Sequence, residues 1–202
     1  MGYHRRLPDD APLAKTTIEE FRNRVASTEP TPAGVSVSAV SASLGFSLVE
    51  KALRIAGQRK DFAGDRQKLD FLIEAAQNAS SHLARWADED AWAFHQYLAA
   101  KRLQDAAAID VALRRAIQVP LQIAREAVSG LDLCGIASGF IHQAVAADLG
   151  TAAILFAGAA RAILLSVDSN LAQIPAGSQF HRETVAAMQE IEKPLQSNPN
   201  AP

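Results

Sequence analysis

The chain holds one cysteine, Cys134, in 202 residues, which excludes an internal disulfide framework and suits a reducing compartment. An excess of one charge is missing too. Lys and Arg number 20 against 22 Asp and Glu, so there is no basic footprint for nucleic acid. No two of the five histidines stand at ligand spacing, and neither CxxC nor HExxH occurs, so no metal is expected. GxGxxG, a Walker loop and a GxSxG elbow are also absent, leaving dinucleotide, ATP and serine-hydrolase chemistry without support. The opening MGYHRRL is too short and polar for a signal peptide. Together with the lone cysteine, this points to the cytoplasm. No segment alternates apolar and polar residues as a half-buried strand does, and alanine is abundant. The expected class is all-α, a multi-helix bundle.

What is present is one long apolar run, Ala147 to Val167, with Asp148 and Arg161 as its charges. A helix apolar all round needs cover on every side, by protein or by lipid. Lipid is the poorer reading, because an arginine near mid-span costs roughly 2.5–3.5 kcal/mol and Ala and Gly repay little. Gly150, Ala153, Ala157, Gly158 and Ala160 would instead let neighbouring helices approach closely. The run reads as the buried central helix of a soluble bundle, with no membrane span. Its charges are then paired, neutralised or functional.

The remaining chain divides into a flexible arm (residues 1–15), one helical domain (16–193) and a disordered tail (194–202). Thr16 and Thr17, each three residues before a glutamate, form overlapping capping boxes for a short helix to about Ser27. Glu29-Pro30-Thr31-Pro32 interrupts. Pro32 is then expected as the first residue of a helix capped by Thr31 and running to about Gly57. Its small-residue start leaves unpaired N–H groups where an anionic or carbonyl group could dock, or else permits tight helix packing. From Asp65 to Leu103 a stripe through Leu72, Ala76, Leu83, Ala87, Phe94 and Leu98 marks a long core helix. Asp90 lands on that stripe, while Asp88 and Glu89 fall off it as a solvated surface pair. Ala106 to Val128 is a helix in which Pro120 kinks the chain or starts a new segment, with Arg114-Arg115 as a wet face. Ser129-Gly130 is expected to end it. A short helix follows from Leu131 to about Ala144, and an amphipathic one closes the chain from Gln179 to Glu192.

Two carboxylates, Asp90 and Asp148, sit among apolar residues on these helices. Partial desolvation raises such a pKa and suits a general acid or base near neutrality. The structural alternatives are concrete. Asp148 near a helix N-terminus stabilises the dipole by roughly 0.3–1 kcal/mol. Asp90 can belong to a buried ion pair, with Arg161 as one partner, and Arg161 can instead reach the surface or a subunit boundary along its stem. Trp86 and Trp92 either stack on a flat heterocycle or pack in a core or dimer interface.

Several runs share an order with a known family. EPTPAGVSVSAVSASLG resembles the SPTPGGGSVAAL motif of the cyclodeaminase/cyclohydrolase family. Asp90-Ala91-Trp92-Ala93-Phe94 looks like its D-x-x-A-F, and Val119-Pro120-Leu121 like its V-P-L. Asp148-Leu149-Gly150, with the helix ending in Val167 and Asn170, looks like its S-D-x-G-x-A and N-V-x-x-N. The resemblance runs from about Thr16 to Glu192. It implies a helical homodimer with a folate site near the subunit boundary. The implied chemistry is hydrolysis of a 5,10-methenyl bridge to a 10-formyl group, or closure of a 5-formimidoyl group onto N10 with loss of ammonia. A tetrahydrofolate derivative is the substrate, and no metal or redox cofactor is needed. Asp90 and Asp148 would carry the proton transfers, with Pro32, Ala33, Gly34, Ser36, His142, Arg161 and Asn170 binding substrate.

The chain departs from the pattern in three places. Ala33-Gly34-Val35 replaces the triple glycine, His142 to Asp148 lacks the asparagines and serine of N-x-N-x-x-S-D, and Ser166 replaces the first asparagine of N-V-x-x-N. Cyclohydrolase stands ahead of cyclodeaminase, a free-standing chain favouring it. The contrasting reading is a non-catalytic helical dimer that binds a ligand or partner. A pocket walled off by Val35 would favour that second reading.

Overall fold

Side-chain caps set the starts of most helices. The computed structural model describes residues 12–197; the expectations for residues 1–11 and 198–202 lie outside the described residues. Helix α1 (Ile18–Val25) begins at Thr17, whose hydroxyl accepts the Glu20 N–H while the Glu20 carboxylate accepts the Thr17 N–H. Thr16 does not cap; its hydroxyl donates to the Leu13 carbonyl at 2.7 Å and closes the single 3₁₀ turn Leu13–Lys15. Asp65 caps α3 (Arg66–Leu103) and Asp105 caps α4 (Ala106–Ser138). Helix α2 (Gly34–Gln58) is different, starting after Ala33 with no side-chain cap at all. Thr31, the cap that the sequence predicts, instead has its hydroxyl bonded to His95 Nε2 at 2.9 Å. The Thr31–Pro32 peptide is cis, and Pro32 precedes the helix rather than opening it.

Among the described residues there are helices and no strands. The long helices α2, α3, α4 and α5 (Ala146–Leu171) form a ring in which each packs on the next, and α6 (Gln179–Ser197) lies against α4 and α5. Gln104 adopts a left-handed conformation (φ 55°) in the two-residue link from α3 to α4, which folds them back as a helical hairpin. At the centre the Phe156 ring of α5 packs on Phe46 of α2, centroids 4.5 Å apart. It also lies over Gly45 of α2 and Gly130 of α4, where an added Cβ would come within 2.8 and 2.7 Å of the ring.

That contact explains why α4 does not stop at Ser129-Gly130 but runs on to Ser138, absorbing most of the short helix expected from Leu131. Glycine costs about 1 kcal/mol in a helix, and here it admits an aromatic ring that no other residue would. Helix α4 also passes through Pro120 unbroken. Helix α6 continues five residues past Glu192.

Helix α5 is long and apolar enough to cross a membrane, yet Ala152, Phe156, Ala160, Ile163 and Val167 are buried in the bundle. Its cover is nevertheless one-sided. Ile154 and Leu165 are 68% and 74% exposed, because α2, α4 and α6 leave that face of the helix uncovered. The expectation of burial on every side is corrected to burial on one.

Cys134 packs in the core, and burial pushes its thiol up to about 12. The native protein is expected to leave a thiol reagent such as dithionitrobenzoate unreacted at pH 8, with one equivalent released after denaturation. Stoichiometric release before unfolding would contradict this packing.

Candidate active site

The spacing Leu83, Ala87, Asp90, Phe94, Tyr97 steps along one face of α3 and carries Asp90 into the protein. Asp90 is 8% exposed. Its Oδ2 accepts a long hydrogen bond of 3.4 Å from the hydroxyl of Ser36, which is itself fully buried in the first turn of α2. No cation lies within ion-pair reach of Asp90 among the described residues. Burial raises its pKa to about 7, and the Ser36 hydrogen bond pulls more weakly the other way. No buried side-chain oxygen among the described residues lacks a partner, so the unbonded Oδ1 keeps some access to solvent, and Asp90 borders the adjoining cavity.

That cavity, about 380 Å³, is walled by four segments. Pro30, Thr31, Ala33, Gly34 and Val35 come from the entry to α2, Asp90 and Phe94 from α3, Ala116 and Pro120 from α4, and Leu165, Ser166, Ser169 and Asn170 from the end of α5. The volume falls within the range of small-molecule sites, roughly 300–1,000 Å³. The uncapped start of α2 adds backbone donors. Val37 N–H is the first to bond back, to the Ala33 carbonyl, which leaves the N–H groups of Gly34 and Val35 without helical partners at the cavity wall. A Cβ added at Gly34 would meet nothing within 4 Å, and Val35 forms a wall without closing the space.

Of the sequence-derived site residues, Ala33, Gly34, Asp90 and Asn170 line the cavity. Ser36 stands behind Asp90, and Pro32 is buried between two lining residues. The other three are elsewhere. Asp148 is one third exposed and pairs with Lys51 at 2.7 Å. Lys51 lies fifteen residues beyond Ser36 on α2, about 22 Å along the helix. The two carboxylates therefore do not share a hollow within one chain. His142 is exposed and accepts the Ala144 N–H at the start of a 3₁₀ turn. It borders a separate cleft with Arg59, Phe62 and Phe140. Arg161 donates to the Leu195 carbonyl of α6 at 2.7 Å, which removes it as a partner for Asp90.

Neighbouring expectations also change. Asp88 and Glu89 are not a solvated pair: Asp88 accepts the Leu13 N–H, and Glu89 is bonded to Arg115. Arg115 also covers the Trp92 ring, 5.0 Å from its centroid. Trp86 packs against the core, so neither tryptophan lines the cavity and Phe94 is its aromatic wall. Phe94 stood four residues from Asp90 on the same face, a signal the tryptophans obscured. Leu165, Ser166 and Ser169 could have been read from their shared helix face with Asn170. Among the described residues no three His, Cys, Asp or Glu side chains gather as a metal site would require.

A family model described as formiminotransferase-cyclodeaminase matches residues 17–190. The chain is similar to the methenyltetrahydrofolate cyclohydrolase of Methylorubrum extorquens, with 27% identity over 163 residues covering 76% of this chain and 78% of that protein. It is also similar to the formimidoyltransferase-cyclodeaminase of Mus musculus, 32% identical over 137 residues covering 62% of this chain. Against the mouse protein and its Sus scrofa counterpart the match spans 25% and 27% of their lengths, about a quarter of each. Among solved structures, a formiminotetrahydrofolate cyclodeaminase from Thermotoga maritima matches with a TM-score of 0.86 at 22% identity, over 92% of both chains. This last likeness establishes the fold.

Proposed function

The chain belongs to the formiminotransferase-cyclodeaminase family, and on that premise we propose that it hydrolyses 5,10-methenyltetrahydrofolate to 10-formyltetrahydrofolate in the cavity beside Asp90. The observation that carries this is a buried carboxylate with no cation in ion-pair reach among the described residues, with a pKa of about 7 and a place in the wall of a cavity of about 380 Å³. The methenyl bridge is a cation shared between N5 and N10. Ionised Asp90 attracts that cation and takes a proton from water as the water oxygen bonds to the bridge carbon. The product of this step is a neutral hydroxyl adduct. Asp90 then returns the proton to N5, the C–N5 bond breaks with its electrons going to nitrogen, and the hydroxyl proton leaves to solvent. One water is consumed and one proton released. The unpaired N–H groups at the start of α2 supply donors for the formyl oxygen. No cofactor enters these steps.

A second copy of the chain completes this reading. Ile154, Gly158 and Leu165 make an exposed small and apolar stripe on α5, and Leu165 also borders the cavity. A homodimer packed on that stripe would narrow the mouth of the site, in the cytoplasm where reduced folates are used. The open cavity beside Val35 favours catalysis over a scaffold that only binds.

The test is decay of the near-ultraviolet absorbance of methenyltetrahydrofolate. The purified chain is expected to accelerate it over buffer; no acceleration would overturn the hydrolase. Ammonia release from 5-formimidoyltetrahydrofolate in its place would assign the same site to cyclisation. Asp148→Asn is expected to change kcat by less than about threefold and stability by under about 1 kcal/mol, as an exposed ion pair does. A loss as large as that of Asp90→Asn would bring Asp148 into the site from a second copy.

A further inference from the structure

Pro120 lies inside α4, and its ring nitrogen has no hydrogen to give the carbonyl four residues back, that of Ala116. The carbonyl is not left bare. Asn170, at the end of α5, donates to it from Nδ2 at 3.1 Å. A carbonyl can only accept, so the partner itself fixes which amide atom faces it: nitrogen toward Ala116 and Oδ1 away. Oδ1 makes no hydrogen bond among the described residues, and no buried side-chain oxygen there lacks one, so this oxygen is accessible. Ala116, Pro120 and Asn170 all border the cavity that holds Asp90.

We propose that the carbonyl freed by Pro120 is a positioning device that locks the Asn170 amide with Oδ1 facing the cavity, as a fixed acceptor selecting a ligand with an N–H donor. The proposal rests on the reduced-folate reading, since a reduced pterin carries ring and exocyclic N–H groups that can donate to such an acceptor. A mobile amide would present donor or acceptor indifferently; a locked one discriminates. Its partner is main chain, so the lock holds whether or not the site is filled.

Pro120→Ala, Asn170→Ala and the double variant separate this role from a merely structural one. Two readouts are needed: the melting temperature, and the affinity for 5-formyltetrahydrofolate as a stable probe, alongside KM and kcat with the methenyl substrate. Asn170→Ala is expected to lower the melting temperature, because the Ala116 carbonyl loses its partner. Adding Pro120→Ala restores an N–H to that carbonyl and recovers the melting temperature. The affinity stays about tenfold weaker in both, with KM raised and kcat changed less than twofold. Pro120→Ala alone is expected to weaken binding without lowering stability, since helical N–H donation competes for the carbonyl and releases the amide. Recovery of affinity together with stability in the double variant would overturn the proposal, as would unchanged affinity in Pro120→Ala. A native chain that does not bind the probe overturns the folate reading and the ligand assigned here; a native chain that binds, with variants equal to it, overturns this proposal alone.

Discussion

Asp90→Asn is expected to lower kcat by about 10²–10⁴-fold, the usual contribution of a positioned acid–base group, while making the protein more stable at alkaline pH. The second effect follows from the sign of the pKa shift. Burial holds the folded-state pKa near 7, above the unfolded value of about 3.9. Below pH 4 the group is protonated in both states. Between pH 4 and 7 the unfolded chain loses the proton while the folded chain keeps it. The unfolded state then binds fewer protons, and stability falls as pH rises. A shift of about three units corresponds to roughly 4 kcal/mol, fully expressed above pH 7. Asparagine stays neutral, so its advantage should grow from near zero at pH 4 to several kcal/mol at pH 8. Urea unfolding of both proteins at the two pH values measures it. A constant difference between pH 4 and 8 would mean that Asp90 is not desolvated as its surroundings imply. The native rate should rise through pH 7 as the carboxylate ionises, and that limb should be missing from the residual activity of the variant.

Much of this site was legible in the sequence, and particular residues show why the rest was not. Asp90 could be found because α3 keeps its apolar period for the whole length of the helix, so a carboxylate in register with Ala87 and Phe94 had to point inward. The entry to α2 was visible from its prolines and small residues. Asp148 has similar apolar neighbours in sequence, whereas within the chain it meets the amine of Lys51. Burial of a residue in a helix is a property of what lies across from it, and periodicity does not report that. Arg161 shows the same limit: its partner is a main-chain carbonyl on α6, and no pattern of residue types encodes such a contact. The tertiary repair of Pro120 by Asn170 was equally hidden, although both residues stood in recognised motifs. Their separation in the chain, fifty-four residues between Ala116 and Asn170, conceals a contact that only the packing of α4 on α5 creates.

Phe156 sets the geometry on which that packing depends. Its ring is fully buried, with Gly45 and Gly130 giving it room on α2 and α4. Phe156→Ala is therefore expected to cost about 3–5 kcal/mol, the loss of a buried aromatic plus the cavity left behind. Gly130→Ala attacks the same contact from the other side. Alanine favours the helix by about 1 kcal/mol over glycine, yet its Cβ would lie 2.7 Å from three atoms of the ring. Neither a helix backbone nor a ring in a close-packed core can yield so far cheaply, so the change should destabilise by about 1–3 kcal/mol. The sign of that change decides between propensity and packing. In a Phe156→Leu background the flat ring is gone, and Gly130→Ala should cost less or become favourable, a coupling of at least about 0.5 kcal/mol in a double-mutant cycle. Additive effects would place the ring away from Gly130. They would also loosen the argument for how α5 is held against α4, and with it the approach of Asn170 to the Ala116 carbonyl.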